Sequence, residues 1–435
     1  MMLPDYVQFC LNRLENAGYS AYAVGGCVRD SLLGITPADY DLCTNAKPQE
    51  ICEVFADLPL VRNGEKHGTI GVVTDHKLME ITTFRTEGSY QDNRHPDWVD
   101  FVDSIDADLA RRDFTVNAMA YNPKEGYIDP FGGQADLKNR ILRAVGDPDQ
   151  RFTEDSLRIL RGARFAVRFG LTAEEATKNA MFRLAPRMDN LARERVFSEL
   201  CKLLVLANTE DLLTFCPIIT QVIPELAPSV DFCQNNPHHL YDVYTHTAQV
   251  TGTVPAELTL RWAALLHDVA KPACYTEDEN GRGHFKGHAT VGAEQADKIL
   301  LRLKAPTALR ERVVLLVEQH MTPFLADKKF LRRRLGKWGE EATRQMLILQ
   351  KADFTGKGTG QDDPIFNQVE ACLAEVLAEQ ACFTVKDLAV GGNDLMALGI
   401  TGRQIGKTLE QLLSRVQNEE LPNEKTALLA AVKER

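Results

Sequence analysis

The stretch that most constrains this chain runs from residue 24 to 42: Val-Gly-Gly-Cys-Val-Arg-Asp-Ser-Leu-Leu-Gly, then Ile-Thr-Pro-Ala-Asp-Tyr-Asp-Leu. Residues 21 to 24 are short and mostly apolar, which suits a buried strand. Gly25 and Gly26 lack a Cβ, so the backbone can turn sharply there and approach a ligand closely. Residues 28 to 33 give one or two helical turns, stopped by Gly34 and Pro37. Asp39 and Asp41 then stand two apart on an expected strand, which points both carboxylates to one face. A Gly-Gly turn whose amides meet a triphosphate, opposite paired carboxylates that hold Mg²⁺, is the equipment of two-metal phosphoryl transfer.

Composition sets wider limits. The 435 residues suffice for two to four domains, and 44% apolar with 26% charged residues is ordinary for a globular chain. No apolar run is long enough for a membrane span, and the acid-containing amphipathic N-terminus lacks the layout of a signal peptide. Ten cysteines without a Cys-x-x-Cys pair argue for reduced thiols and a cytoplasmic setting, not a disulfide scaffold or zinc knuckle. The net charge of −11 hides segregation: residues 151–207 carry eleven Lys/Arg against seven Asp/Glu. A second basic cluster comprises Lys328, Lys329, Arg332, Arg333, Arg334 and Lys337. Nucleic-acid affinity follows local phosphate neutralisation, so the acidic total does not exclude RNA; such clusters are also common as solvated helix faces.

Alternating runs at 68–73 and 78–84 read as strands of the same sheet. Glu80, on the second, either completes a metal site or faces outward. Residues 85–100 are polar and aperiodic, a loop. Arg111-Arg112-Asp113-Phe114-Thr115-Val116-Asn117-Ala118 follows. Arg112 is suited to a triphosphate because guanidinium is always charged and donates as a fork; Asp113 could hold that fork, and Asn117 could reach a ribose hydroxyl. The same octamer could also be a helix capped by Asp113 or Thr115. Residues 154–165 are expected to begin a helix, with Asp155 and Arg158 side by side at i and i+3. One carboxylate and one guanidinium can satisfy the pairing edge of cytosine or adenine. Uracil and guanine would set a carbonyl against Asp155, at a cost of roughly 1–3 kcal/mol. Arg161 and Arg164 continue the row toward base or phosphates. An ordinary ion pair on a solvated helix face is the alternative.

These motifs resemble the polymerase β-type nucleotidyltransferases. GGCVRDSLLG…ADYDL, RRDFTVNA and the EDxxR segment are similar to the class II branch, which holds the CCA-adding tRNA nucleotidyltransferases and the bacterial poly(A) polymerases. Tyr90-x-Asp92-x-Arg94-x-Pro96 resembles the loop of the CCA-adding members. The resemblance implies an α+β chain: a polymerase β-like mixed-sheet head at 1–146, an all-α neck at 147–207, an HD-type body at 208–354 and a helical, tRNA-contacting tail at 355–435. It implies addition of C, C and A to tRNA from CTP and ATP. Asp39 and Asp41 would be the Mg²⁺-holding catalytic pair, and Gly25, Gly26, Arg29, Arg112, Asp113 and Asn117 the triphosphate and ribose contacts. Asp155, Arg158, Arg161 and Arg164 would be the base-reading row. Poly(A) addition and partial addition of CC or A are the alternatives within the class.

The apolar run Arg261-Trp-Ala-Ala-Leu-Leu-His267-Asp268 ends in an adjacent imidazole and carboxylate, a pairing suited to a divalent metal. With His246, His288, His320 and Asp353 it resembles the HD superfamily of phosphohydrolases, whose ligand set His246, His267, Asp268 and Asp353 would fill. His288 and His320 match second-metal positions of some members. The resemblance implies hydrolysis of 2′-phosphate or 2′,3′-cyclic phosphate ends. A phosphohydrolase whose N-terminal domain only binds RNA is the reading from another class.

Overall fold

A computed structural model describes residues 1–87, 99–237, 239–358, 363–379 and 382–433; the loop motif at Tyr90, Asp92, Arg94 and Pro96 lies outside them. The chain forms two compact units, one of residues 1–207 and 214–224, the other of 208–213 and 225–435.

The first unit is built on a mixed sheet. Its strands are β1 (Ala21–Val24), β2 (Asp41–Thr44), β3 (Leu60–Val61), β4 (Thr69–Thr74) and β5 (Lys77–Thr83). After the separate small hairpin β6 (Arg85–Glu87) and β7 (Val99–Phe101) come β8 (Ala120–Asn122) and β9 (Gly126–Ile128). The sheet order is β3-β4-β5-β2-β1-β8-β9. Only β2 and β5 pair in parallel; the other neighbours are antiparallel. Asp75 and His76, both at positive φ, close the β4–β5 hairpin, since that hand of turn matches the twist of its strands. Tyr22, Val24, Cys43, Ala120 and Phe84 bury one face of the sheet against Leu109 and Val145. Helices follow at Pro148–Glu154, Leu157–Phe169, Glu175–Leu184 and Arg193–Leu206. Phe114 ties them to the head: it is fully buried, with ring centroids 5.9 Å from Phe165 and 6.3 Å from Phe152. Gly162 permits that approach, because a Cβ there would lie 2.9 Å from the Phe114 ring.

The second unit is helical. Leu258–Leu266 is apolar except for Thr259 and Arg261 and is correspondingly buried at its centre, where Trp262 is fully enclosed. Around it stand helices Val243–Thr253, His288–Arg302, Thr307–Gln319 and Lys328–Gly356, the last broken at Gly339 (φ 79°). A smaller core of Leu388, Val390, Leu395, Leu409, Leu412 and Leu428 holds the C-terminal helices together. All ten cysteines are free thiols. No helix among the described residues is long and apolar enough to cross a membrane.

Candidate functional site

Strand register builds the site. Asp41, the first residue of β2, pairs with Glu80 on β5 and with Val24 on β1, whose next residue is Gly25. The Gly-Gly turn, Asp41 and Glu80 are thus brought to one end of the sheet. Asp39 lies in the bend before β2, not on the strand as the sequence led us to expect, yet it lines the same cleft of about 810 Å³ with Asp41, Glu80, Gly25 and Gly26. Crowding by surrounding protein and by the Asp39 and Glu80 carboxylates pushes the Asp41 carboxyl up, with Arg112 opposing. Three oxygen-donor side chains in mutual repulsion are a fitting donor set for a hard divalent cation such as Mg²⁺.

Gly25 has φ 72°, and a Cβ there would sit 2.6 Å from Arg112 Nη1. Glycine is therefore required both by its backbone and by the guanidinium lying against it. Arg112 is held from Asp108, with Nη2 3.3 Å from Oδ2, and its buried Nε makes no hydrogen bond among the described residues. This corrects the expectation that Asp113 grips Arg112. Asp113 Oδ1 accepts from the Phe114 amide and Asn117 Nδ2 (both 2.9 Å), and its Oδ2 accepts from Arg161 Nε (2.9 Å) and Nη2 (2.7 Å). Burial pushes this carboxyl up, but Arg161 and the Asn117 amide win and hold it at about 2. Asn117 is committed too, its Oδ1 accepting from Arg29 Nη1 at 2.5 Å. Arg29 donates further to Asp30 and lies 4.2 Å from the Phe169 ring centroid, 5% exposed. Residues expected to grip triphosphate and ribose thus form a buttress behind Gly25 and Arg112, while still lining the cleft. Residues 115–117 make a short 3₁₀ turn, and Ala120 already begins β8, so no helix extends to Tyr121.

The continuous helix expected from residue 154 is interrupted. Asp147 caps Pro148–Glu154, with Pro148 where helices favour it. Asp155 then turns extended (φ −136°, ψ 102°), and its Oδ1 accepts from the Leu157 amide at 3.0 Å. A short acidic side chain competing for local backbone amides stops a helix in this way. Asp155 and Arg158 therefore do not share a helical face, but both line the cleft. Arg158 is fixed by Glu154 (2.9 Å) and by the Arg111 carbonyl (3.0 Å); Asp155 Oδ2 is 3.4 Å from Arg195 Nη2. Arg164 also lines the cleft, its Nε bonded to Glu199 at 2.5 Å. Asp30, Asp108, Arg195 and Glu199 were not singled out from sequence. Only Asp108, four residues before Arg112, carried a local signal.

In the second unit the histidines converge. Nε2 of His246, His267, His288 and His320 lie 3.4, 3.1, 3.3 and 3.8 Å from Asp268 oxygens, and Asp353 Oδ1 is 3.0 Å from His246 Nε2. Each Nδ1 faces a backbone carbonyl, of Gly356, Ala264, Phe285 and Val317 respectively. A carbonyl can only accept, so each Nδ1 carries the proton and each Nε2 is left as a donor for metal. This chemistry fits divalent ions, with Asp268 common to both three-residue groups, His246–His267–Asp268 and Asp268–His288–His320. Burial pushes the Asp268 carboxyl up, but His267 and Lys271 hold it well below the usual range. The basic cluster at 328–337 is by contrast substantially consumed in packing. Lys328 bonds Glu379 (2.7 Å), Arg332 bonds Glu379 and Glu419, Arg333 bonds Asn418, and Arg334 stacks on Phe330 and Trp338.

Residues 21–143 match the family model described as poly A polymerase head domain, 170–229 that of a probable RNA and SrmB-binding site of polymerase A, and 238–355 that of the HD domain. The CCA-adding enzyme of Levilactobacillus brevis is 35% identical over 428 residues, 97% of this chain and 96% of its own length. That of Limosilactobacillus fermentum is 33% identical over 98% of this chain and 95% of its own. Among solved structures, the Bacillus stearothermophilus CCA-adding enzyme in complex with CTP superposes with a TM-score of 0.71 at 27% identity, covering 100% of this chain and 98% of that one. With this likeness spanning head, helices and HD region alike, the chain belongs to the CCA-adding enzymes, a family of nucleotidyltransferases.

Proposed function

We propose that this chain adds C, C and A to the 3′ end of tRNA from CTP and ATP, with protein side chains in place of a nucleic-acid template. The observation that carries the reading is a single cleft in which Asp39, Asp41 and Glu80 face Arg112, Asp155 and Arg158. Asp39 and Asp41, aided by Glu80, would hold two Mg²⁺ ions, which when bound activate the attacking 3′-hydroxyl and stabilise the leaving pyrophosphate. Arg112, held by Asp108 against Gly25, has N–H groups to spare for phosphate oxygens. Asp155 accepts from the exocyclic amine of C or A while Arg158 donates to the adjacent ring nitrogen. Because protein contacts already fix both side chains, little is lost in ordering them around the base. The Bacillus relative's complex with CTP supports the pyrimidine half of this reading.

The four-part division at 146, 207 and 354 goes with this proposal, the head carrying chemistry and the neck base choice. The test is end-sequencing of a tRNA lacking its terminal CCA after incubation with both nucleotides. Appearance of CCA is expected; addition of A alone, or failure to incorporate CTP, would point to poly(A) or partial addition instead.

A second activity is supported by the histidine cluster. His246, His267, Asp268 and Asp353 would hold a divalent metal, with His288 and His320 beside a second position, for hydrolysis of 2′-phosphate or 2′,3′-cyclic phosphate ends. An intact Asp39/Asp41 pair argues against a phosphohydrolase whose head only binds RNA. Nucleotide addition unaffected by Asp41→Ala would restore that alternative.

A further inference from the structure

Asp39 and Asp41 are held by different means. Asp41 opens β2 and is paired on both sides, with Val24 and with Glu80. Asp39 lies in the bend before the strand, and among the described residues the segment 36–40 makes no backbone-to-backbone hydrogen bond outside the strand ladders. Two metal ions about 3.5–4 Å apart require both carboxylates at a set spacing. The ladder fixes one of them, so side chains have to fix the other.

Tyr40, the residue between the two acids, supplies the grip. Its ring meets that of Tyr6 edge-on, with centroids 6.2 Å apart and planes at 90°. Tyr6 in turn carries the Lys77 ammonium, whose Nζ lies 4.5 Å from the ring centroid. Each member of this stack belongs to a different element. Tyr6 is the second residue of the N-terminal helix Asp5–Asn16, which is anchored by the buried Val7, Cys10, Leu11 and Leu14. Lys77 opens β5 three residues before Glu80, so strand alternation turns it to the face opposite that carboxylate. The stack therefore ties the strand of Glu80 to the segment of Asp39, with an anchored helix between them. Tyr6, Tyr40 and Lys77 do not line the cleft, and bear on its carboxylates from outside. Burial first, then Cys27 and the Asp39 carboxylate, push the Tyr6 phenol up, so the ring stays neutral beside the acidic group. An edge-on aromatic contact and a cation on the same ring each hold beyond the area they bury.

We propose that Tyr6 is a positioning residue for nucleotide addition: through Tyr40 it fixes the Asp39 segment, and so sets how tightly the Asp39–Asp41 pair holds divalent metal. This role rests on the reading of Asp39 and Asp41 as metal ligands.

The test is Mn²⁺ binding to the full chain in the presence of CTP, followed by the electron paramagnetic resonance signal of the free ion. Ions retained by Asp41→Ala, which include any held by the histidine cluster, are subtracted. Tyr6→Ala should weaken the remaining ions about three- to tenfold, the worth of one aromatic pair. The Mg²⁺ concentration that half-saturates nucleotide addition should rise by the same factor, with KM for CTP at saturating Mg²⁺ unchanged. Tyr6→Phe keeps the ring and should bind as wild type. Tyr40→Ala should match Tyr6→Ala, and the double variant should be no weaker than either, because one contact is lost once. Lys77→Met, at an exposed position, should shift the affinity the same way by about twofold even where Tyr6→Ala folds poorly. Unchanged Mn²⁺ affinity in a folded Tyr6→Ala protein overturns the role, whether or not its urea midpoint falls. Equal weakening in Tyr6→Phe, or additive losses in the double variant, overturns it as well. If Asp41→Ala keeps as many ions as wild type, the metal reading itself fails and the role of Tyr6 falls with it.

Discussion

Asp113 offers the sharpest quantitative test, because one buried carboxylate carries the junction between the head and the helix that follows it. The side chain is 7% exposed and accepts four hydrogen bonds, two from Arg161 across 48 residues of sequence. Its carboxyl is held at about 2 against an ordinary 3.8. At 1.36 kcal/mol per pH unit, the ionised form is favoured in the folded state by about 2 kcal/mol. The folded pKa lies below the unfolded one, so this stability is complete above about pH 5. It falls to about 1 kcal/mol near pH 3 and vanishes only below pH 2, as the pH passes beneath the folded-state value. Asp113→Asn is a neutral mimic of the protonated acid that also turns an amide toward one pair of donors. It should cost about 2 kcal/mol at pH 7 and progressively less below pH 4. Urea unfolding of both proteins, followed by far-ultraviolet circular dichroism at pH 7, 4 and 3, measures the difference. A gap that is absent at pH 7, or that does not shrink on acidification, would refute the claim that Arg161 holds an ionised Asp113.

Three further outcomes are expected. Gly25→Val forces a side chain onto a residue with φ 72° and into Arg112 Nη1; nucleotide addition should fall at least about a hundredfold, with Asp41→Ala as the benchmark for a lost site, and near-wild-type kinetics would show that Arg112 does not act from this position. Asp155→Ala removes the acceptor facing the base, so UTP and GTP misincorporation should rise about tenfold to a hundredfold; unchanged discrimination in single-nucleotide assays would remove Asp155 from base choice. His267→Ala should lose bound metal, read by elemental analysis, while CCA addition persists; equal metal content in variant and wild type would exclude His267 as a ligand.

What was legible in the sequence was chemistry carried by neighbours in the chain. The Gly-Gly turn, the Asp39–Asp41 pair and the adjacent His267–Asp268 needed no knowledge of the fold to be singled out, because each is a local pattern of chemistry, although Asp39 reaches the cleft from the segment before β2 and not by strand alternation. The partners were not legible. Asp113 meets Arg161, Arg164 meets Glu199 and Asp155 meets Arg195 across 48, 35 and 40 residues, and no periodicity announces such pairs. The sequence reading therefore gave Arg112 its nearest acid, Asp113, when the helical spacing to Asp108 was the better guide. The break at Asp155 escaped for a related reason. Helix period extends through 154–165, and the contest is decided by one side chain taking the Leu157 amide.

Charge counting was right in one place and wrong in another. The basic segment 151–207 supplies Arg158, Arg161, Arg164, Arg168 and Arg195 of the cleft, whereas the net charge of −11 and the cluster at 328–337 pointed away from it. That cluster contributes heavily to ion pairs and ring contacts within its own unit. Among the described residues, the nucleotide-sized cleft is lined by nine arginines and no lysine, and the cavity beside the histidines by three lysines and no arginine. The division follows from what each cation can do. A guanidinium can be braced by a carboxylate on one edge and still present donors on another, as Arg112 does between Asp108 and the cleft, and as Arg158 does beside Glu154. Ammonium is a point charge without a fixed edge, adequate for a phosphate but unable to tell one base from another. An Arg158→Lys chain should therefore retain its charge yet lose its preference for C and A, and preserved selectivity in that variant would mean that the base is chosen elsewhere.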